Sequence, residues 1–490
     1  FGDFLKGIKL QYPNVSNKGD ILLVPLIDDI GTMKLITEYA YKIANEQALC
    51  IRYFYVHSAV ERPIININIF QKIDYWKTYF LEGSKRLRLI YGIKRQDIII
   101  SSYFKPPKHI NHKKFEDKKA LIDLKLKNIK IGDLIYDTYL RYRNKPTVDL
   151  LDPSLYAILA YSNTLLDRWR HVFSKYKVKK ILTPYSTYIQ WGIPVRVGLD
   201  QGIEILSFGS YLYHLVKVSK LHPFHSKPHG TYQAIFANLP NKDLKLEMSK
   251  NSLEKRLSGE KDAGINYMKS SAFHDAGNSN FTIEKGKPAA IIFLHCFFDS
   301  PHIYNGSIFP DFYEWIIFIL NIAAENPNTN YFIKPHPNGL PGNNVIIHQL
   351  QEDYKQHKNI IFIASHISNK QIIDQKPDAI FTVYGTVAHE FAYAGFPVIT
   401  AGDNPHINYE FLYNPNSAQK MSYYLTNIGK YGLPQKYDKN EILEFFYMHY
   451  MYYAKNFDQS NMLMEKNFQT GKISIPGHAS TEDLIYGQYL

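Results

Sequence analysis

Cysteine is almost missing from this chain: its 490 residues include only Cys50 and Cys296, far apart and each in apolar surroundings. That argues against a disulfide framework or a Cys-based metal site and fits a reducing cytoplasm. Long apolar runs are missing too, and none approaches the roughly 20 residues that cross a bilayer. The opening FGDFLKGIKL has neither an apolar signal core nor an initiating Met, so the full protein is expected to begin upstream of Phe1. The chain shows no long basic tract, no internal repeat that would make a solenoid and no D-x-D pair, and the histidines and Asp of LHCFFDSPHIYNGS form no H-x-x-x-H or carboxylate cluster at ligand spacing. A dedicated nucleic-acid module and a metal site are therefore not expected, and no cofactor is implied.

What is present is a globular composition, 45% hydrophobic and 21% charged, on a chain long enough for two cores. The net charge of +12 points to an anionic partner, either a phospholipid surface or the phosphates of a nucleotide. Tyrosine is abundant at 39 copies, and exposed Tyr offers ligands an apolar face with a polar tip. Codon bias toward Tyr, Asn, Lys and Ile explains that count equally well.

Strand-like runs alternate with helix-length segments. DILLVPLI, a helical stretch to about Gln47 and LCIRYFYV are followed later by VKKILTP, a helix and IEILSF. A second alternation runs through AAIIFLH, YFIK, NIIFIA, AIFTV and PVIT. Such order predicts βαβ units and mostly parallel sheets, hence an α/β chain of two doubly wound, Rossmann-like domains. Gly, Ser, Asn and charge dominate residues 258–287, which read as a linker or mobile loop between a domain over 1–257 and another over 288–490. The tail from Ser417, including NEILEFFYMHYMYYAKNF, reads as amphipathic helix that packs back across the domains.

Two segments carry chemistry. In FIKPHPNGLPGNN the strand YFIK ends on Lys334 and His336, where a parallel sheet presents its ligand-binding edge, and the flanking prolines stiffen the turn. A cation beside a rigid imidazole suits an anionic group. In AIFTVYGTVAHEFAYAGFPVIT a helix is expected to begin near Thr386, after Gly385, and to stop at Gly395. Thr386, His389 and Glu390 then share a face, the first turn offers N–H groups to a phosphate, and Glu390 can take two ribose hydroxyls. After the first strand of the same half, LHCFFDSPHIYNGS sets His295, Asp299, Ser300 and His302 toward the same rim.

The KPHP segment, followed fifty positions on (386 minus 336) by GTVAHEFAYAGFPVI, resembles the donor half of two-domain GT-B glycosyltransferases that build bacterial capsule and other surface polysaccharides. It is most similar to enzymes that use cytidine-activated sugars, in which an HP motif and a Ser/Thr-bearing helix start hold the nucleotide phosphate; here those positions are His336-Pro337 and Gly385-Thr386. The resemblance spans about Ala289 to Asp403, and Gly-Thr stands where sialyl- and Kdo-type enzymes commonly carry Ser-Ser or Ser-Thr. It implies a GT-B architecture and metal-independent transfer from a nucleotide sugar, CMP-linked or otherwise, to an oligosaccharide or lipid-linked glycan. It also implies a cytoplasmic site of action, peripheral at the inner membrane. Lys334, His336, Gly385, Thr386, His389, Glu390, His295 and Asp299 would hold the donor. Transfer of a glycerophosphate-type group from a CDP-linked donor, and non-catalytic binding of carbohydrate or nucleotide on the same fold, are the other readings open.

The first domain would supply the acceptor site and the group that takes the acceptor proton. Asp133, at the start of GDLIYDTYLR, ranks first for that base and Asp29, after DILLVPLI, second; an N-cap role accounts for Asp133 equally well. Tyr188 and Trp191 in TPYSTYIQWGIPVR, Asp137, and His222 of HPFHSKPHG are expected along the acceptor side, with Tyr185, Gln190, His225 and His229 beside them.

Overall fold

The structure, a computed structural model, describes residues 19–27, 30–55, 92–100, 114–207, 215–226, 228–260, 271–274, 281–304, 306–337 and 339–452. Asp29 and the tail beyond residue 452 lie outside them.

The first sheet joins β1 (Ile21–Pro25), β2 (Cys50–Phe54), β3 (Ile98–Ile100), β6 (Val178–Thr183), β7 (Glu204–Ser207) and β8 (Val216–Val218) in the order β3-β2-β1-β6-β7-β8. All pairs are parallel except β7 with β8. Between β3 and β6 the chain makes a small hairpin, β4 (Lys125–Leu126) and β5 (Ile129–Lys130). The second sheet, β9 (Ala289–Phe293), β10 (Asn330–Lys334), β11 (Ile360–Phe362), β12 (Ala379–Phe381) and β13 (Val398–Ile399), is wholly parallel in the order β11-β10-β9-β12-β13.

Both central strands are apolar on both faces. Ile21 and Leu23 enter one core cluster while Leu22 and Val24 enter another. Ala289, Ile291 and Phe293 divide from Ala290 and Ile292 in the same way. A strand buried on both sides has no polar alternation, which is why these segments read as continuous apolar runs. The covering helices are α1 (Ile30–Gln47), α2 (Lys118–Ile122), α3 (Gly132–Arg143), α4 (Pro153–Lys175), α5 (Tyr188–Asp200), α6 (Tyr232–Ala237), α7 (Lys242–Leu257), α8 (Phe312–Glu325), α9 (Pro341–Asp353), α10 (Asn369–Asp374), α11 (Val387–Tyr393), α12 (Ala418–Thr426) and α13 (Lys439–Phe446).

The core clusters divide the chain earlier than residue 257. Tyr232 and Phe236 of α6 and Leu253 of α7 pack with β9 and α13 in the second domain's core. The described parts of 258–287 are also tied down: Phe273 is buried beside Phe391, the Phe281 ring meets Phe332 edge-on, and Ala272 accepts the Asn369 N–H. The polar composition of that stretch concealed two aromatic anchors. α13 likewise packs within the second domain rather than across both.

Helices α3 and α5 meet at Gly192, where a Cβ would lie 2.4 Å from Leu134 Cδ2 and 2.7 Å from the Ser186 carbonyl oxygen. The close approach fixes the two helices whose ends line the interdomain cleft. Gly192→Ala should overpack this contact at a cost of about 1–3 kcal/mol and lower the melting temperature. A variant melting like the parent would show that the helices are not packed this closely.

Candidate active site

In an open parallel sheet the ligand crevice lies where the strand order reverses, outside the carboxyl ends of the strands. In the second sheet that point is between β9 and β12, and in the first between β1 and β6. The segments leaving β9 and β12 meet through His295. Its Nε2 lies 3.2 Å from the Val383 N, 3.4 Å from the Tyr384 N and 3.2 Å from Thr382 Oγ1. Two backbone N–H groups donate to that nitrogen, so it is unprotonated and Nδ1 carries the hydrogen. The ring stacks on Phe312 at 4.7 Å. Burial and then the nearby His336 lower its pKa to about 3. His295 therefore braces the Thr382–Gly385 turn as a neutral ring, and the Thr382 hydroxyl also takes the Gly385 N–H at 3.3 Å.

Around this turn the second domain presents Asp299 and His336, both exposed, and half-buried Tyr304, Tyr384 and Thr386. Lys334 is placed differently from the sequence expectation. Its ammonium turns inward to donate to the Ser365 carbonyl at 3.0 Å, and burial lowers its pKa to about 8. The face predicted for Thr386, His389 and Glu390 also divides. Thr386 stays at the turn, while His389 and Glu390 point into the core, where Arg256 donates to Glu390 Oε1 at 3.3 Å.

Arg256 also sets a directional chain. A guanidinium only donates, so its 3.4 Å contact makes His389 Nε2 an acceptor and leaves the hydrogen on Nδ1. That nitrogen donates over 3.1 Å to His406 Nε2, and His406 Nδ1 then donates over 3.3 Å to Asn404 Oδ1. The two rings are neutral links tying α7 and α11 to the 402–406 loop. Burial drives both pKa values down, that of His406 to about 3.

The first domain brings α3 and the start of α5 to the same cleft. Tyr188 opens α5 with φ +56°, a left-handed backbone that a bulky side chain adopts at a cost, and such strain clusters at functional sites. Its hydroxyl reaches Asp299 Oδ1 at 3.4 Å across the cleft, and its ring meets Tyr142 edge-on. Arg141 lies within the electrostatic reach of Tyr188, Asp299 and Cys296. Asp137, one helical turn before Arg141, is 1% exposed, with Oδ1 2.5 Å from His302 Nδ1 of the second domain. Its Oδ2 accepts no hydrogen bond from any described residue. Burial raises the Asp137 pKa to about 6, against the pull of His302.

Asp133 is committed elsewhere. Arg196 grips both of its oxygens, at 2.5 and 2.7 Å, inside the first domain. Burial would raise its pKa, but Arg196 overrides that and holds it below the ordinary carboxylate value. An ionised group with both oxygens engaged pins α3 to α5 and makes a poor proton acceptor. Trp191 is half-buried, and His222 pairs with Ser226 Oγ at 3.0 Å. From the same segment His229 reaches Asp403 at 3.5 Å and Tyr304 in the second domain. Tyr384 and Tyr304 escaped sequence reasoning, and only their flanking motifs could have marked them. Among the described residues no group of three or more His, Cys, Asp or Glu side chains is arranged to hold a metal, and no helix is long and apolar enough to cross a membrane.

No protein-family model matches the chain, and no curated protein matches it in sequence. Solved structures that it resembles include a KpsC β-Kdo 2,4-transferase of Thermosulfurimonas dismutans, at 12% identity and TM-score 0.34 over 56% of this chain and 81% of that one. A glycosyltransferase from Rickettsia africae ESF-5 aligns at 11% identity and TM-score 0.26 over 93% and 98% of the two chains. A UDP-N-acetylglucosamine 2-epimerase aligns at 10% and 0.23 over 95% and 100%. Scores this low decide nothing about chemistry. The architecture rests on the chain's own geometry: two doubly wound domains with their switch points facing across a cleft, the GT-B arrangement.

His225, His295, His389 and His406 are neutral in the fold, with pKa values below the ordinary 6.5. The unfolded chain therefore binds protons that the folded one refuses, and stability falls as pH drops below about 6.5. Each contributes up to about 1.4 kcal/mol per pH unit. Raised carboxyls such as Asp137 work in the opposite direction, so the net slope is smaller than the sum of four. Denaturant midpoints should fall clearly from pH 7 to pH 5, and a flat profile would mean that these rings are charged or exposed.

Proposed function

We propose that this chain is a glycosyltransferase that moves a sugar from a nucleotide-activated donor to a growing surface glycan. The observation that carries the reading is the meeting of the two switch points at the Tyr188–Asp299 contact, with Arg141, Asp137, His336 and the Gly385-Thr386 turn around it. The donor phosphate lies against His336 and the Gly385-Thr386 backbone; the acceptor lies along Tyr188, Trp191 and Asp137. As the acceptor oxygen bonds to the anomeric carbon, its proton passes to Asp137 Oδ2, and the carbon–oxygen bond to the phosphate breaks with its electron pair leaving on the nucleotide. Arg141 and His336 meet the charge that develops. The net charge of +12 supports a site of action at an anionic membrane surface on the cytoplasmic side. A cytidine-linked donor is the first choice on the HP motif, and Gly-Thr in place of Ser-Ser or Ser-Thr keeps other nucleotides in the comparison.

The test is nucleotide release from CMP-, CDP-, UDP- and GDP-linked donors, with thermal shift for each nucleotide. One donor should turn over and its nucleotide should raise the melting temperature. His336→Ala should weaken that nucleotide's binding with the fold intact, and activity should survive EDTA. Unchanged affinity in His336→Ala would remove the donor site from this edge; loss of activity restored by Mg²⁺ or Mn²⁺ would remove the metal-free account.

The base assignment separates by variant. Asp137→Asn should cut kcat about 10²–10⁴-fold with nucleotide affinity retained. Asp133→Asn leaves Arg196 partly unpaired and should show mainly as stability, about 3–5 kcal/mol for breaking a buried pair. Asp29→Asn completes the comparison. Near-parental turnover in Asp137→Asn would pass the role to Asp29 or to a histidine of the 222–229 segment.

A further inference from the structure

The second domain holds two consecutive residues of α3. Tyr136 donates to Asp311 Oδ2 at 2.5 Å, and Asp311 is itself the N-cap of α8, accepting from the Glu314 N. Thr147 donates to the same Asp311 oxygen at 2.6 Å, and Lys118 of α2 pairs with Glu314. The next residue, Asp137, meets His302, which sits on the single turn Pro301–Ile303 that follows Asp299. The His302 ring is 8% exposed and packs edge-on against Tyr136 at 5.1 Å. Its Nε2 is buried without a hydrogen-bond partner among the described residues, so its one hydrogen-bonding tie is to Asp137.

An imidazole with one nitrogen committed and the other orphaned carries an unrecovered desolvation penalty, and such a group in a native fold calls for a purpose. The domain docking itself already has hydrogen bonds from Tyr136 and Thr147 and the Lys118 pair. What His302 alone supplies is a donor that fixes one carboxylate oxygen of Asp137 and leaves the other oxygen without a partner.

We propose that His302 is a positioning residue supplied by the second domain, so that Asp137 becomes a competent proton acceptor only while the two domains are docked. This rests on the glycosyl-transfer reading above. Its consequence is that an open cleft with donor bound lacks an oriented base, which suppresses wasteful hydrolysis. In the docked state the acceptor proton moves to Asp137 Oδ2 while Oδ1 keeps its bond to His302, and no other reactant is needed.

The groups facing the pair are Tyr136 and Asp133 on α3, Tyr188 at the start of α5, Tyr384 after β12, Asp311 at the start of α8, and Asp299 on the His302 loop. Burial alone would lower the His302 pKa; Asp137, then Asp133 and Asp311, more than offset this and raise it.

The variants are His302→Leu, which removes the donor, and His302→Asn, whose amide can replace Nδ1–H without a charge. His302→Leu should lose about 10²-fold or more in kcat while nucleotide Kd stays within about threefold. His302→Asn should recover part of that loss. Without the imidazolium, the acid limb of its kcat profile should move up by about one pH unit or more, because an opposing charge beside Asp137 is gone. Turnover within fivefold of the parent in His302→Leu, or an unmoved acid limb in His302→Asn, overturns the proposal. So does a kcat loss that tracks lost nucleotide affinity and melting temperature, the mark of a purely structural tie.

A measurement independent of turnover covers the case in which His302→Leu does not fold. In ¹⁵N-histidine NMR of the full chain, the ring absent from His302→Asn should titrate above 6.5 in the parent and at least one unit lower in Asp137→Asn. An unshifted titration contradicts the coupling. If the parent turns over no nucleotide sugar while that coupling is present, the glycosyl-transfer reading fails and the pair stands only as a contact between domains.

Discussion

The cleft depends on the hold that the second domain keeps on α3. Tyr136 to Asp311 and Asp137 to His302 are adjacent, buried and cross from one domain to the other. With the Thr147–Asp311 and Lys118–Glu314 contacts beside them, they hold the switch points of the two sheets against each other. There Tyr188 comes within reach of Asp299, and Arg141 lies within electrostatic reach of both.

Burial does most of the electrostatic tuning around that contact, and its outcome depends on the partner. Asp133 and Asp137 lie four residues apart on one helix, both almost wholly buried. Arg196 engages both oxygens of the first and keeps it ionised, whereas the second has a histidine at one oxygen and is raised to about 6. Two carboxylates on neighbouring turns are thereby divided into a structural anion and a group able to exchange a proton near neutrality. The histidines of the second domain follow the same logic: burial holds His295, His389 and His406 neutral, and they serve as hydrogen-bonding braces.

Much of this was legible in the sequence because parallel strands buried on both faces leave uninterrupted apolar runs. DILLVPLI, VKKILTP, AAIIFLH and YFIK each contain an observed strand, and Gly395, at φ +92°, ends α11 as its position predicts. The same reasoning named Asp299, His336 and Tyr188, which the structure places near the carboxyl ends of the two sheets. It ranked Asp133 over Asp137 because a helix start is visible in sequence and an ion pair to Arg196, 63 positions away, is not. It placed His389 and Glu390 with Thr386 because helical spacing gives a shared face but not which neighbour covers it; Arg256, reaching in from α7, decides that. The domain division moved for a related reason, since Tyr232, Phe236 and Leu253 declare their core only through packing.

The most direct test of the cleft is hydrogen exchange by mass spectrometry on the full chain, with and without the nucleotide sugar that turns over. Protection should appear together in residues 132–143 of α3, in 295–304 after β9 and in 382–390 after β12, because one ligand spans the facing switch points. Protection in only one domain, or none in these three segments, would contradict a shared interdomain site.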